Sequence, residues 1–306
     1  MPRFLVARLS SLGDVVCSLP AASALKEGFP DATIEWVVDP RFAAIVDRCA
    51  SVDKVIRWKP SWRPLKHEGR FDAALDLQGL LKSGLAIGRA QADQKVGYHW
   101  QREGAWLFSA RVLPDPSSHH VVDQYVDVAR AVGGVGDRAE FALKPTEDDV
   151  LKVRRKLKEG GLVGRFVALN PGAGWASKRW PPASCAAFID ALAASGMPTV
   201  LIGGKDSLEA AEEISALTRE RPVSLVGATD LGELIALIRL ASCHVGSDTG
   251  STHLSAAVGT AAVGLYSLTR PQRSCPYGQI ERCLRAETLT EIPPEAVTER
   301  VLAALG

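Results

Sequence analysis

Gly246-Ser247-Asp248-Thr249-Gly250-Ser251-Thr252-His253-Leu254, reading GSDTGSTHL, joins an apolar run to a second segment that is apolar on one side. Residues 243–247 before it read as a buried strand, 249–258 as a helix, and 261–266 as the next strand. Strand, polar loop, helix and strand in that order define a parallel unit whose sheet is covered by helices. Backbone amides at the helix start, with the hydroxyls of Ser247, Thr249, Ser251 and Thr252, make an anion-binding turn. His253 lies one turn in and can reach the same pocket. By itself, a histidine there is more simply a packed or hydrogen-bonded residue.

The alternation extends outward in both directions. In the C-terminal half, strands are expected at 166–170, 199–203 and 223–225, with helices at 183–195, 208–218, 231–239 and 294–305. In the N-terminal half, strands are expected at 3–9, 33–38, 52–58 and 73–77. Helices are expected there at 15–26, with Pro20 as a kink, and at 42–48, 82–89 and 121–132. The pattern pauses at Lys144-Pro145. Thr146, with Asp149 three residues on, then opens a charged helix that Gly160-Gly161 ends. The expectation is an α/β chain of two Rossmann-like, doubly wound domains facing a central cleft. They divide at 1–150 and 151–306, and the last helix is a candidate to pack back on the first domain. In such sheets ligands gather at the carboxyl ends of strands, so the strand-to-helix loops carry the chemistry.

Three further loops follow strands. Ser10-Ser11-Leu12-Gly13-Asp14 puts a carboxylate at a helix start. Capping and complementing the helix dipole are its plainer roles, a general base its functional one. Residues 170–180, NPGAGWASKRW, offer Gly172 and Gly174 for close backbone approach and Lys178 as a point charge for phosphate. Neither GxxxxGK[ST] nor GxGxxG is present. Gly203-Gly204-Lys205-Asp206 reads first as a tight turn. Residues 57–70, RWKPSWRPLKHEGR, mix Arg57, Lys59, Arg63, Lys66 and Arg70 with Trp58 and Trp62. They read as a solvated loop or as a surface for an amphipathic, phosphorylated or membrane-embedded acceptor.

Composition bounds the remaining classes. Hydrophobic residues are 46% and charged residues 23%, as in ordinary soluble proteins. A net charge of +1 gives no reason to expect nucleic acid. Six cysteines without a CxxC pair suggest reduced thiols in a cytoplasmic protein. No h-region stands near the start, no run reaches membrane-span length, and no metal constellation or GxSxG elbow is present.

Four stretches together resemble glycosyltransferase family 9, the lipopolysaccharide heptosyltransferases. They are SSLGDVVCSLPAASALK at 10–26, LQGLLKSG at 77–84, SKRWP at 177–181 and GSDTGSTHLSAAVG at 246–259. The run VGYHWQRE at 96–103 is most similar to the branch that adds the first heptose to Kdo of the inner core. The resemblance implies a GT-B fold, with an N-terminal acceptor domain and a C-terminal nucleotide-sugar domain. It also implies inversion without a metal or other cofactor. Asp14 then matches the catalytic base, and Lys178 the lysine at the donor phosphates. Gly172, Ala173, Asp248, Thr249, Gly250 and His253 fall on the donor side; Ser11, Gly13, Arg63, Gln78, Lys82 and Arg102 fall on the acceptor side. The family usually has a glutamate after the Gly-Gly loop to hold the donor ribose. Here Ser207 occupies that place with Asp206 and Glu209 beside it, so the role stays open among the three. In the enteric branch threonines replace Gly172 and Ala173. The implied partners are an ADP-sugar and a phosphorylated lipid A–Kdo acceptor, handled by a monomer at the cytoplasmic face of the inner membrane.

Other readings remain. A family 9 transferase with a different donor or acceptor would keep these motifs. A non-hydrolysing NDP-sugar epimerase would share the architecture, and a binding protein would keep the DTG turn without needing Asp14. An NAD-dependent oxidoreductase fits poorly, because the first loop has a single glycine, Gly13.

Overall fold

A computed structural model of the chain describes residues 1–60, 65–136 and 139–306. It divides into two compact units, Met1–Lys144 and Pro145–Gly306.

The first unit runs β1 (Arg3–Ala7), α1 (Leu12–Gly28), β2 (Thr33–Val38), α2 (Ala43–Val46), β3 (Lys54–Arg57), β4 (Arg70–Asp76), α3 (Leu81–Gly88), β5 (Gln91–Gly97), β6 (Ala110–Arg111) and α4 (Val121–Arg130). Its six strands are parallel in the order β3-β2-β1-β4-β5-β6. β1 is central, with Phe4 opposite both Ile34 and Ala73, and its apolar side chains are buried because helices cover both faces. α1 continues through Pro20 and packs on α4. Leu5, Val37, Phe71, Ala74 and Ile87 join in one core cluster.

The second unit runs α5 (Glu147–Glu159), β7 (Val167–Asn170), α6 (Pro182–Ala194), β8 (Thr199–Leu201), α7 (Leu208–Leu217), β9 (Val223–Ser224), α8 (Leu231–Leu240), β10 (Cys243–Ser247), α9 (Gly250–Ala257), β11 (Ala261–Tyr266), α10 (Pro271–Ser274), β12 (Leu284–Arg285) and α11 (Pro294–Leu305). Its sheet is also parallel, in the order β9-β8-β7-β10-β11-β12. Counted from each unit's own first strand, both sheets have the order 3-2-1-4-5-6. The order reverses between β1 and β4 in one unit and between β7 and β10 in the other. Those are the two points where a doubly wound sheet binds ligands.

The division falls at Lys144/Pro145, six residues before the expected 150. The reason is α5. Thr146 caps it, its Oγ1 accepting from the Asp149 amide at 3.2 Å while Asp149 Oδ2 accepts from the Thr146 amide at 3.0 Å. Lys156 then pairs with Glu233 of α8 at 2.6 Å, which ties the helix to the second unit. The last helix, a candidate to return to the first domain, packs on α6 and β11 of its own unit, with Val297 and Val301 in that unit's core. β5, β6 and β12 had no sequence signal. β5 reads QADQKVG, half its side chains reach solvent, and it is a strand because β4 offers it a backbone ladder.

Candidate active site

In the first unit, the loops after β1 and β4 meet at the switch point. Ser11 is the N-cap of α1 and Asp14 lies in its first turn, with Gly13 between them. Asp14 Oδ2 accepts from the Ser11 amide at 3.1 Å and from the Ser11 hydroxyl at 2.8 Å. Its Oδ1 pairs with Arg8 at 2.8 Å. Arg8 is buried, donates to the Leu77 carbonyl at 2.5 Å and lies over the Tyr125 ring. Burial pushes the Asp14 carboxyl up, but the Arg8 guanidinium and the two Ser11 bonds outweigh it and hold the group below the usual carboxylate range. Asp14 is therefore ionised at neutral pH, and its side chain keeps 45% of its surface exposed.

Ser10 gathers the acceptor-side candidates around this carboxylate. Gln78 Nε2 donates to Ser10 Oγ at 3.2 Å, and Lys82 Nζ donates to the same oxygen at 2.8 Å. Gln78 Oε1 also accepts from the Leu9 amide at 3.0 Å. Gly79 has φ +69°, and a Cβ there would lie 2.6 Å from the Trp100 carbonyl oxygen, so only glycine permits that approach. The approach lets the Arg102 amide donate to the Gly79 carbonyl at 2.8 Å, placing Arg102 beside the loop with its guanidinium over Trp100. Beneath lies Asp76, fully buried. Its Oδ1 accepts from the amides of Gln78 and Gly79, both at 2.9 Å, and burial pushes its carboxyl up.

In the second unit, the loops after β7 and β10 meet in the same way. Asp248 Oδ2 takes Lys178 Nζ at 2.9 Å, and its Oδ1 faces His253 Nε2 at 3.5 Å. Burial opposes the charge, but His253 and Lys178 together hold Asp248 far below the ordinary range. Thr249 caps α9 and Gly250 begins it, so the first amides of that helix open beside this triad. Asn170 Nδ2 donates to Ser251 Oγ at 2.8 Å while its Oδ1 accepts from the Gly172 amide at 3.0 Å, fixing the β7 loop to α9.

The ribose candidates separate. Ser207 is buried, and a Cβ at Gly172 would lie 2.0 Å from its Oγ, so this hydroxyl is packed under the glycine. Asp206 and Glu209 are exposed on the same stretch, and Ala173 is buried in the β7 loop. Arg63 and Trp62 lie outside the described residues. Of the neighbouring basic-aromatic segment, Arg57 is held by Asp47 at 2.7 Å and Trp58 packs on the first unit's core. Arg57 keeps 51% of its side-chain surface exposed, and Lys59, Lys66 and Arg70 are exposed as well.

Three residues here escaped the sequence reading. Arg8 lies within the strand expected at 3–9, where the residue pattern gives it no role of its own. Asp76 looked like the end of a strand. His244 is a lone histidine in buried β10; its Nε2 lies 3.4 Å from Thr252 Oγ1, which donates to the Ser247 carbonyl at 2.6 Å. Burial pushes its imidazole down to about 4. Among the described residues no three His, Cys, Asp or Glu side chains cluster as a metal site, and no helix is long and apolar enough to cross a membrane.

Two parallel sheets of one strand order, each with a polar cluster at its switch point, form the two-domain α/β architecture of GT-B glycosyltransferases. The chain belongs to glycosyltransferase family 9 (heptosyltransferase), whose model matches residues 61–301. It is 26% identical over 288 residues to the lipopolysaccharide core heptosyltransferase OpsX of Haemophilus influenzae, covering 90% of this chain and 82% of that one. It is 28% identical over 323 residues to lipopolysaccharide heptosyltransferase 1 of Escherichia coli K12, covering 98% and 99%. The solved E. coli heptosyltransferase WaaC with ADP superposes with a TM-score of 0.80 at 26% identity, covering 99% of both chains.

Proposed function

We propose that the protein transfers heptose from ADP-L-glycero-D-manno-heptose to Kdo of the lipopolysaccharide inner core, with inversion and without a metal. The observation that carries this is a division of charge between the units. The first holds an ionised, half-exposed carboxylate, with Lys82 bonded to the nearby Ser10 and Arg102 held at the Gly79 loop. The second holds a helix start lined by Lys178 and His253. The first suits an acceptor that is anionic and must lose a hydroxyl proton. The second suits a nucleoside diphosphate, consistent with ADP in the E. coli relative.

Asp14 Oδ2 takes the acceptor hydroxyl proton as that oxygen attacks the anomeric carbon from the face opposite the leaving group. The bond from that carbon to the ADP oxygen breaks, and negative charge grows on ADP. Lys178, the amides at Thr249 and Gly250, and the α9 dipole stabilise that charge, so a metal is not required. Asp248 holds Lys178 in place without cancelling its donors, since an ammonium has three. With Ser207 packed under Gly172, Asp206 or Glu209 holds the ribose. The protein works as a monomer in peripheral contact with the cytoplasmic face of the inner membrane.

The test supplies ADP-heptose and Kdo–lipid A in the presence of EDTA, followed by mass spectrometry. One heptose added to the acceptor is the expected result. Transfer only to an already heptosylated acceptor would move the enzyme to the second heptose. A donor altered with no acceptor present would make it an epimerase.

A further inference from the structure

Large apolar side chains crowd one region of the first unit's surface. Trp100, Trp106 and Leu107 are 54%, 57% and 76% exposed, and Leu81 and Leu85 of α3 are also exposed. Packing makes them neighbours. Leu81 and Leu85 are one turn apart on α3, beside a stripe formed by Gly84 and Gly88. Phe108 covers that stripe, because a Cβ at Gly84 or Gly88 would lie 2.6 Å or 2.7 Å from its ring. Trp106 and Leu107 directly precede Phe108 and flank the helix. Trp100 sits at the other end, its carbonyl against Gly79 just before α3.

Folding leaves these five residues in water although the unit has a core to receive such side chains, and contiguous apolar surface of this kind marks a contact site. Cations border it. Lys82 lies on α3 between the two leucines, Arg89 follows Gly88, and Arg102 and Arg111 frame the tryptophans; Glu103 is the acid of the 100–111 stretch. Tryptophan with leucine, ringed by arginine and lysine, matches a bilayer interface. The indoles settle at headgroup depth, and the cations meet anionic headgroups.

We propose that this face, formed by α3 and residues 100–111, docks on an anionic lipid bilayer. The inference rests on the transferase reading for its purpose: Lys82 and Arg102 belong at once to the proposed acceptor residues and to the border of the patch. Docking there brings a lipid-anchored acceptor to Asp14 without extracting it from the membrane.

Vesicle co-sedimentation, with neither donor nor acceptor present, tests the surface apart from the activity. Wild-type protein binds phosphatidylglycerol–phosphatidylcholine vesicles at least tenfold more tightly than pure phosphatidylcholine vesicles. Trp106→Ser with Leu107→Ser lowers that binding at least tenfold, and Arg89→Glu with Arg111→Glu lowers it several-fold. Leu107→Ser alone, at the most exposed of the five positions, gives a several-fold loss should the double variant fail to fold. Each variant keeps wild-type ADP binding, and its transfer rate falls on vesicle-embedded acceptor but not on a delipidated, soluble one. Binding unchanged in every variant overturns the proposal, as does wild-type protein that ignores anionic vesicles. A dimer in sedimentation that Leu107→Ser dissociates overturns it in favour of a second copy on this face. Vesicle binding with no transfer to any acceptor would instead leave the docking surface standing and remove the transferase reading.

Discussion

Asp14 and Asp248 invite comparison, because each stands just past a strand at the switch point of a sheet with the same order. Both carboxyls are held below their ordinary range by cations. Their surroundings differ in the respect that matters for chemistry. Asp14 keeps 45% of its side-chain surface open, and its cation, Arg8, is buried beneath it. Asp248 is only 12% exposed, and its two oxygens face Lys178 and His253. A carboxylate with an open side can receive a proton from a substrate; one enclosed between two basic side chains sets their positions. Under the proposed mechanism, one topology supports a proton acceptor in one unit and a rigid anion cradle in the other. The distinction comes from which side of the carboxylate the protein covers.

Asparagine at each position separates these roles. Asp14→Asn keeps the shape and removes the basicity, so transfer falls by about 10²–10⁴, the usual contribution of a positioned base. ADP affinity, measured by calorimetry, stays within a factor of two or so, since the helix start and Lys178 are untouched. Asp248→Asn does the reverse: ADP binding weakens, and the rate at saturating donor suffers less. Near-wild-type transfer by folded Asp14→Asn would falsify the assignment of Asp14 as base.

The second contrast is stability against pH. His244 is buried under the DTG turn, and its folded value of about 4 lies below the roughly 6.5 of an unfolded histidine. The unfolded chain therefore binds the extra proton first. The stability associated with a neutral His244 is complete above pH ~6.5 and is lost as pH falls from there towards 4. The shift corresponds to about 3 kcal/mol. A melting series from pH 7 to 4 should show it in the second unit, and His244→Gln should flatten it. A slope in that window unchanged by His244→Gln would show that another group carries it.

Third in size is Lys178→Ala. A hydrogen bond to a charged group contributes about 1.5–3 kcal/mol, so ADP dissociation should rise roughly 10- to 100-fold. Asp248 is then left with His253 alone, which adds to the loss. Unchanged ADP binding would mean that Lys178 serves Asp248 and not the diphosphate.

Much of this arrangement was legible in residue order. TIEWVV, CHVGS and AAVGLY are apolar runs between punctuating residues, and each is a strand with the expected bounds. GSDTGSTHL exposed its helix start because small polar residues break an apolar pattern sharply. β5 was invisible because an outer strand of polar residues takes its conformation from the neighbour's ladder, which periodicity does not record. The Arg8–Asp14 pair was hidden for a related reason. It joins a strand end to a helix turn, and nothing in the spacing distinguishes a buried arginine from one at the surface. The tryptophans at 58 and 62 drew the eye towards residues 57–70. Trp58 is partly buried against the first unit's core, while Trp100 and Trp106, embedded in a less basic stretch, face solvent.

The smallest effect gives the finest test of the comparison. Ser11→Ala removes the hydroxyl that donates to Asp14 Oδ2 at 2.8 Å but leaves the amide bond at 3.1 Å and the Arg8 pair intact. The net value of one such hydrogen bond is about 1 kcal/mol, less at an exposed residue, so transfer should fall only a few-fold. The sign of the pH effect follows from what the hydroxyl does. It helps hold the carboxyl down, so without it the Asp14 carboxyl titrates at higher pH. A base must be unprotonated to act, and the acid limb of kcat/KM should move up by a fraction of a pH unit while the plateau barely changes. Asp14→Asn differs in kind, because it lowers the plateau itself. If Ser11→Ala costs as much as Asp14→Asn with no movement of the acid limb, transfer depends on where the first turn of α1 is held and not on the basicity of its carboxylate. Asp14 would then resemble Asp248, a residue that sets the positions of others.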